Sequence, residues 1–222
     1  MRFGEMHNAY NEAVYTATYC LYKPLARVAF GLQVFGRENI PQEGAALVAS
    51  NHRTFLDTLA LPYAVRDRHL SMIARDDFSS GRFMQWFFDH GEVIQIKRGN
   101  FSRDNLRAID ERIDEERLVG IYPEETRGDR ELRKTDPRAN LGPFKPGTAF
   151  FAKRHNIPTV PAAVSGLDNP TKKGQRRIAR AVFGEPIEPP KGGSTSKEAF
   201  LTELRLRIED LYEAHPAIHP EE

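Results

Sequence analysis

The sequence predicts an α/β protein: a mixed, largely parallel sheet flanked by helices, with an N-terminal helical appendage. Three observations carry this. Short apolar runs of strand length recur from residue 45 onward, helix-period patterns separate them, and a tyrosine-rich apolar segment split by a proline precedes them all. Strands that alternate with helices favour parallel pairing, because a parallel neighbour is reached by a crossover long enough to hold a helix.

The segment 9–34, "AYNEAVYTATYCLYKPLARVAFGLQV", interleaves Tyr10, Tyr15, Tyr19 and Tyr22 with small apolar residues. Pro24 breaks or kinks any helix there, which predicts two short ones. With Lys23 and Arg27 the segment suits a helix at a bilayer interface, its rings and cationic stems at headgroup level. A helical hairpin packed on the body of the protein accounts for the same pattern.

The predicted strands follow at 45–50, 69–74, 92–96, 118–122, 159–164 and 178–183. Helical patterns fall at 54–66, 81–90, 102–116 and 147–155, and a last one at 196–213 closes the chain. Ser102 is a natural N-cap for a helix whose Leu106, Ile109 and Ile113 recur on one face. Thr195 and Glu198 stand at capping-box spacing before a stripe of Leu201, Leu204, Ile208 and Leu211. Pro158 and Pro161 bracket a short buried strand, with edge-strand prolines as the alternative reading on backbone grounds. The polar connection 127–146 is too long for a passive turn and has the length of a binding or moving loop. This divides the chain into an N-terminal segment at 1–34, one α/β domain at 35–214 and a short tail at 215–222.

Composition narrows the function classes. Hydrophobic residues at 40% and charged residues at 28% describe a folded chain rather than a disordered one. A net charge of +1 gives no global reason to expect a nucleic-acid partner. The single cysteine, Cys20, leaves no internal disulfide and suits a reducing cytoplasm. Glu5, His7 and Asn8 occupy the place of a signal-peptide apolar core, and no window approaches the roughly 18–20 apolar residues of a spanning helix. Any membrane contact is expected to be peripheral.

The chemistry-bearing stretch is "VASNHRTFLD". Of the seven histidines only His52 has an aspartate, Asp57, five residues on. Five residues of ideal helix turn through about 500°, leaving the two side chains roughly 140° apart. They meet only if His52 lies in the turn before a helix and Asp57 in its first turn. Asp57 would then hold one ring nitrogen and leave the other as a base. The spacing of Thr54 and Asp57 also fits a helix cap, so at this point catalysis and capping both stand. Lys97 and Arg98 leave one apolar strand and Glu124, Glu125, Thr126 and Arg127 another, at strand ends of the kind where α/β folds bind ligands. As solvated strand-end charges they need no function.

Taken in order, "NHRTFLD", "VIQIKR", "YPEETR" and "IPTVPAAV", with "PFKPGTAFFA" between the last two, resemble the four sequence blocks of the glycerolipid acyltransferase family with its NHxxxxD motif. That family includes the 1-acyl-glycerol-3-phosphate acyltransferases, also called lysophosphatidic acid acyltransferases. The resemblance covers about residues 33–210 and implies the glycerol-3-phosphate acyltransferase-like fold. It implies His52 as general base and Asp57 as its support, with a fatty acyl group moving from acyl-CoA or acyl-ACP to the free hydroxyl of 1-acyl-glycerol 3-phosphate, giving phosphatidate. Arg98 matches the phosphate-gripping arginine, with Lys97 beside it, and Glu124, Thr126 and Arg127 match the acceptor-binding third block. The family's third block has glycine where this chain has Glu125, which leaves glycerol 3-phosphate, a lysophospholipid or a glycolipid open as acceptor. A non-catalytic headgroup-binding protein and a thioesterase are the rivals of another kind. No cofactor and no metal is implied, since the acyl thioester is a substrate and no His, Cys and Asp cluster has ligand spacing. The basic run Lys172, Lys173, Arg176, Arg177 and Arg180 reads as a solvated loop or, in a lipid enzyme, as a contact with anionic headgroups. The expected location is the cytoplasm, peripheral at the inner face of the cell membrane.

Overall fold

The computed structural model describes residues 16–17, 20, 31–65, 68–75, 93–96, 101–124, 141–167, 171–172, 175–176 and 178–216. Among them a seven-stranded sheet forms the centre. Its strands are β1 (Gln33–Phe35), β2 (Ala46–Ser50), β3 (Leu70–Arg75), β4 (Ile94–Ile96), β5 (Leu118–Ile121), β6 (Thr159–Ser165) and β9 (Arg180–Phe183). The remaining two, β7 (Thr171–Lys172) and β8 (Gln175–Arg176), pair with each other as a small antiparallel ribbon. The sheet order is β1-β9-β6-β2-β5-β3-β4, parallel throughout except where β9 meets β6. The expected mixed, largely parallel sheet is therefore the one observed.

The helices are α1 (Phe55–Val65), α2 (Arg103–Asp114), α3 (Gly147–His155) and α4 (Ser194–Ala214). Period-two alternation in the strands sends side chains to both faces. From β2, Ala46 and Val48 join a core with Leu61 and Ala64 of α1, while Leu47 and Ala49 join another with Ile109, Phe151 and Leu204. Among the described residues, one helix covers the first face and three cover the second. β2 is buried along its whole length, which explains why it reads as a continuous apolar run.

Ser102 caps α2 as expected, its side chain accepting from Asn105 N–H in a full capping box. One expectation and one alternative reading fail. α4 begins at Ser194, with Gly193 as N-cap and no side-chain cap bond, so Thr195 already lies inside the helix. Pro161 sits in β6, between β2 and β9, rather than on an edge. Its missing N–H falls where the β9 ladder ends: its carbonyl still accepts from Gly184 N–H at 2.8 Å, and no return bond is possible. The strands β1, β7 and β8 were not expected from the apolar pattern. The predicted helix at 81–90 and most of the 9–34 segment lie outside the described residues, as does the 127–146 connection up to residue 140.

Two measurements probe this frame. Gly36 has φ +70°, and a Cβ there would lie 2.0 Å from the Phe183 carbonyl oxygen. Left-handed strain and overpacking against backbone together predict a loss on the order of 2–4 kcal/mol for Gly36→Ala, read from urea midpoints. On the second face, Asp110 of α2 accepts from Arg154 Nη2 at 2.9 Å and from His155 Nε2 at 2.7 Å. Burial works to raise its pKa, but the hydrogen bonds and charges of Arg154 and His155 outweigh it and hold the carboxyl below its ordinary value. A carboxyl shifted downward binds fewer protons in the folded state, so its contribution is full above the usual aspartate value of about 3.9 and is lost as pH falls through the folded pKa. Asp110→Asn should therefore lower stability at pH 7 and narrow the gap to wild type at pH 3.

Candidate active site

β2 ends at Ser50, and Asn51 extends its ladder with a side chain. Asn51 Nδ2 donates to the Val164 carbonyl at 2.9 Å, and Asn51 Oδ1 accepts from Val164 N–H at 2.7 Å. The carboxamide is a donor and an acceptor at the spacing of a peptide, so it satisfies both backbone groups of a β6 residue. Asn51 is buried, and its anchoring fixes where the next residue leaves the sheet.

That residue is His52, in the turn between β2 and α1. Asp57 lies in the first turn of α1, where a carboxylate is favoured by the helix N-terminus. Asp57 Oδ2 accepts from Arg53 N–H at 2.6 Å and from Thr54 N–H at 2.8 Å, while Asp57 N–H donates to the Thr54 carbonyl at 3.1 Å. The same Oδ2 is 3.4 Å from His52 Nδ1, an ion-pair distance just outside hydrogen-bond geometry. The oxygen that caps the helix is thus also the one that approaches His52. Asp57 is buried and His52 keeps 15% side-chain exposure, with Nδ1 itself enclosed. The ring's accessible edge is the one turned away from Asp57. A ring with Nδ1 toward a carboxylate and the opposite edge open has the polarity that general-base catalysis requires.

The second wall comes from the end of β5. Ala49 of β2 is in register with Ile121, so the residues just beyond are neighbours. Tyr122 stacks on the His52 ring, centroids 4.1 Å apart and planes tilted by 23°. Its hydroxyl is buried beside Thr58 without reaching hydrogen-bond geometry. Burial, and then the Asp57 charge, push the phenol well above its usual pKa, with Thr58 pulling the other way. Glu124, 2% exposed, accepts from His52 N–H at 3.3 Å through Oε1 and from Gly142 N–H at 2.8 Å through Oε2. Its carboxylate links the β2 turn to the chain entering α3.

The place follows from topology. From β2 the chain moves toward β3, while from β5 it crosses back over β2 to β6. Connections from two adjacent parallel strands that depart in opposite directions open a crevice at their carboxyl ends. His52, Tyr122 and Glu124 stand at that crevice. Arg53, also in the turn, donates through Nη1 to the Tyr212 hydroxyl and lies with Cζ 4.8 Å from the Tyr212 ring centroid, joining the end of α4 to the site.

The structure thus brings together three of the residues expected from sequence, His52, Asp57 and Glu124. Lys97, Arg98, Thr126 and Arg127, with Glu125, lie outside the described residues. Sequence reasoning missed Asn51, Tyr122 and Arg53 with Tyr212. Asn51 carried a signal, the second of two polar residues, after Ser50, that end an apolar run. Tyr122 and Tyr212 carried none, because their partners are set by register and by helix docking.

Asp57→Asn retains a carbonyl oxygen for the Arg53 and Thr54 N–H groups and should leave stability within about 1 kcal/mol of wild type. Asp57→Ala leaves both donors without that acceptor and should cost about 1–3 kcal/mol, compared by thermal unfolding.

Comparison with known proteins agrees with this geometry. Over 185 residues, 82% of this chain and 88% of the relative, the sequence is 22% identical to the 1-acyl-sn-glycerol-3-phosphate acyltransferase of Bacillus subtilis (strain 168). The crystal structure of the 1-acyl-sn-glycerophosphate (LPA) acyltransferase PlsC from Thermotoga maritima matches with a TM-score of 0.67 at 19% identity, covering 97% of this chain and 85% of that one. At that identity the likeness is one of fold. The family model described as Acyltransferase matches residues 31–165, a span that takes in β1 through β6 with both walls of the crevice, and the chain belongs to the acyltransferase family.

Proposed function

We propose that the protein transfers a fatty acyl group from acyl-CoA or acyl-ACP to the free hydroxyl of 1-acyl-glycerol 3-phosphate, giving phosphatidate. The observation that carries this is His52 held between Asp57 and Tyr122 at the crevice of an acyltransferase-family chain. The named activity of the Bacillus subtilis relative supports the choice of acceptor.

In the proposed reaction His52 takes the proton of the acceptor hydroxyl through the ring nitrogen opposite Asp57. The hydroxyl oxygen bonds to the thioester carbonyl carbon, and the resulting oxyanion collapses with cleavage of the C–S bond. The departing thiolate recovers the proton from the imidazolium. The ester and the free thiol balance the reactants, and no acyl-enzyme forms. Asp57 acts by fixing the tautomer and stabilising the transient positive ring.

Acceptor binding is assigned to Lys97, Arg98, Thr126 and Arg127 on the strength of the family blocks. Two guanidinium groups suit a phosphomonoester because each offers paired donors. β4 ends at Ile96, one residue before Lys97, and runs parallel to β2 and β5, so the chain leaves all three strands on the same edge of the sheet. By ordinary strand spacing β4 is about 14 Å from β2, a separation that a glycerol phosphate and two long side chains can bridge. Glu124 serves the acceptor indirectly, since its carboxylate would repel phosphate while its two backbone partners are held in place. Glu125, where the family has glycine, favours a second reading in which the chemistry is the same and the acceptor is glycerol 3-phosphate, a lysophospholipid or a glycolipid.

A lipid acceptor calls for membrane contact. Among the described residues no helix is long and apolar enough to cross a membrane. Peripheral association at the inner face of the cell membrane is proposed through residues 9–34 and the basic run Lys172, Lys173, Arg176 and Arg177. Pairing of Thr171 with Arg176 gathers part of that run on one ribbon.

The test is incubation of pure protein with labelled acyl-CoA or acyl-ACP and a panel of hydroxyl acceptors, followed by identification of the products. Phosphatidate from 1-acyl-glycerol 3-phosphate is the expected result. His52→Ala should lower its rate by about 10²–10⁴-fold, and transfer at a near wild-type rate would defeat the assignment. Release of free fatty acid regardless of acceptor would indicate a thioesterase instead.

A further inference from the structure

The interaction of His52 with Tyr122 has a chemical consequence beyond packing. The two rings lie nearly parallel, 4.1 Å between centroids. Neutral imidazole on a phenol face gains ordinary stacking. The imidazolium gains more, because the aromatic face carries the negative lobe of its quadrupole and the site is largely shielded from water. In the reaction proposed above, on which this inference rests, His52 becomes positive as the acceptor oxygen attacks. We infer that Tyr122 is a positioning residue whose ring face orients His52 and stabilises it as the imidazolium formed in the transition state. Tyr122 is buried, so its part is played through His52 and not by touching substrate.

The hydroxyl is not what this role needs. It lacks a partner in hydrogen-bond geometry, so Tyr122→Phe removes no hydrogen bond and should leave the fold intact. The charged groups facing the turn among the described residues are Asp57 from α1, Glu124 from beyond β5 and Arg53 beside the histidine. All three remain in the variants below, so the variants are compared against a constant charge background.

The experiment compares wild type, Tyr122→Phe and Tyr122→Leu in steady-state acyl transfer. The phenylalanine variant should stay within about 3-fold of wild type in kcat, since it keeps the ring face. The leucine variant should lose about 5–30-fold in kcat with KM within about 2-fold, the loss a shielded cation–π contact would give. A leucine variant with wild-type kcat overturns the inference. So does a phenylalanine variant as impaired as the leucine one. If the leucine variant does not fold by circular dichroism, pentafluorophenylalanine at position 122 keeps the size and reverses the charge of the face. It should reproduce the loss in kcat, and wild-type behaviour would overturn the inference.

A readout independent of turnover separates this from the functional proposal. His52 ring protons, assigned by their disappearance in His52→Ala, should be displaced upfield by the Tyr122 ring current in wild type and in Tyr122→Phe but not in Tyr122→Leu. Absence of that displacement in wild type overturns the stacking itself, while a displaced signal in a protein without transferase activity defeats only the proposed reaction.

Discussion

The arrangement of the site depends on a single carboxylate oxygen. Asp57 Oδ2 collects Arg53 N–H, Thr54 N–H and the approach of His52 Nδ1. A buried carboxylate is costly unless donors surround it, and here the donors come from the chain that must turn to present the histidine. The turn is therefore shaped by the charge it later uses. Were the helix to begin a residue earlier or later, Asp57 would rotate by about 100° and lose the turn and the histidine together. Capping fixes the helix start, and the helix start fixes how Asp57 meets His52.

The carboxylate alone does not locate His52 relative to the sheet. Asn51 does so by occupying a rung on Val164 of β6, and Tyr122 and Glu124 do so from the other neighbour, β5. β2 lies between those two strands, so the histidine is held from both sides by residues one to three steps past the last regular pairing. Register controls these contacts. A one-residue slip of β5 against β2 would turn Tyr122 to the opposite face and remove the ring from the imidazole. A fully buried β2, with Leu47 and Val48 committed to opposite cores, makes such a slip expensive and so protects the chemistry at its end.

The same physics separates what could be read in the sequence from what could not. Buried parallel strands are apolar on both faces, so β2 and β5 appear as runs within a residue of their observed ends. Ser102 was legible because a cap and its helix are neighbours in the chain. β1, with three residues and two of them exposed, has no apolar run to betray it and exists because β9 is there to pair with. Pro161 reads as an edge residue until the end of the β9 ladder is known. At the site, His52 and Asp57 were legible because their spacing and a strand–turn–helix pattern are local. The capping contacts are present, and the oxygen that makes them also approaches His52 Nδ1. Tyr122 stayed hidden because 70 residues separate it from His52 and only strand register joins them.

Tyr212 takes this further, since it lies beyond the span that matches the family. α4 packs Phe200, Leu204 and Ile208 against the sheet's second face, and its last turns reach the β2 turn with Tyr212. Arg53 meets that tyrosine through both its guanidinium edge and its plane, while its own N–H holds Asp57 Oδ2. An arginine suits this position where lysine would not, because only a planar group can donate and stack at once. The β2 turn, inside the span that matches the family, is therefore held by a contact from outside that span, and the geometry at His52 depends on the docking of a helix more than 140 residues away in the chain. The docking of α4 contributes to how tightly this chain holds that turn.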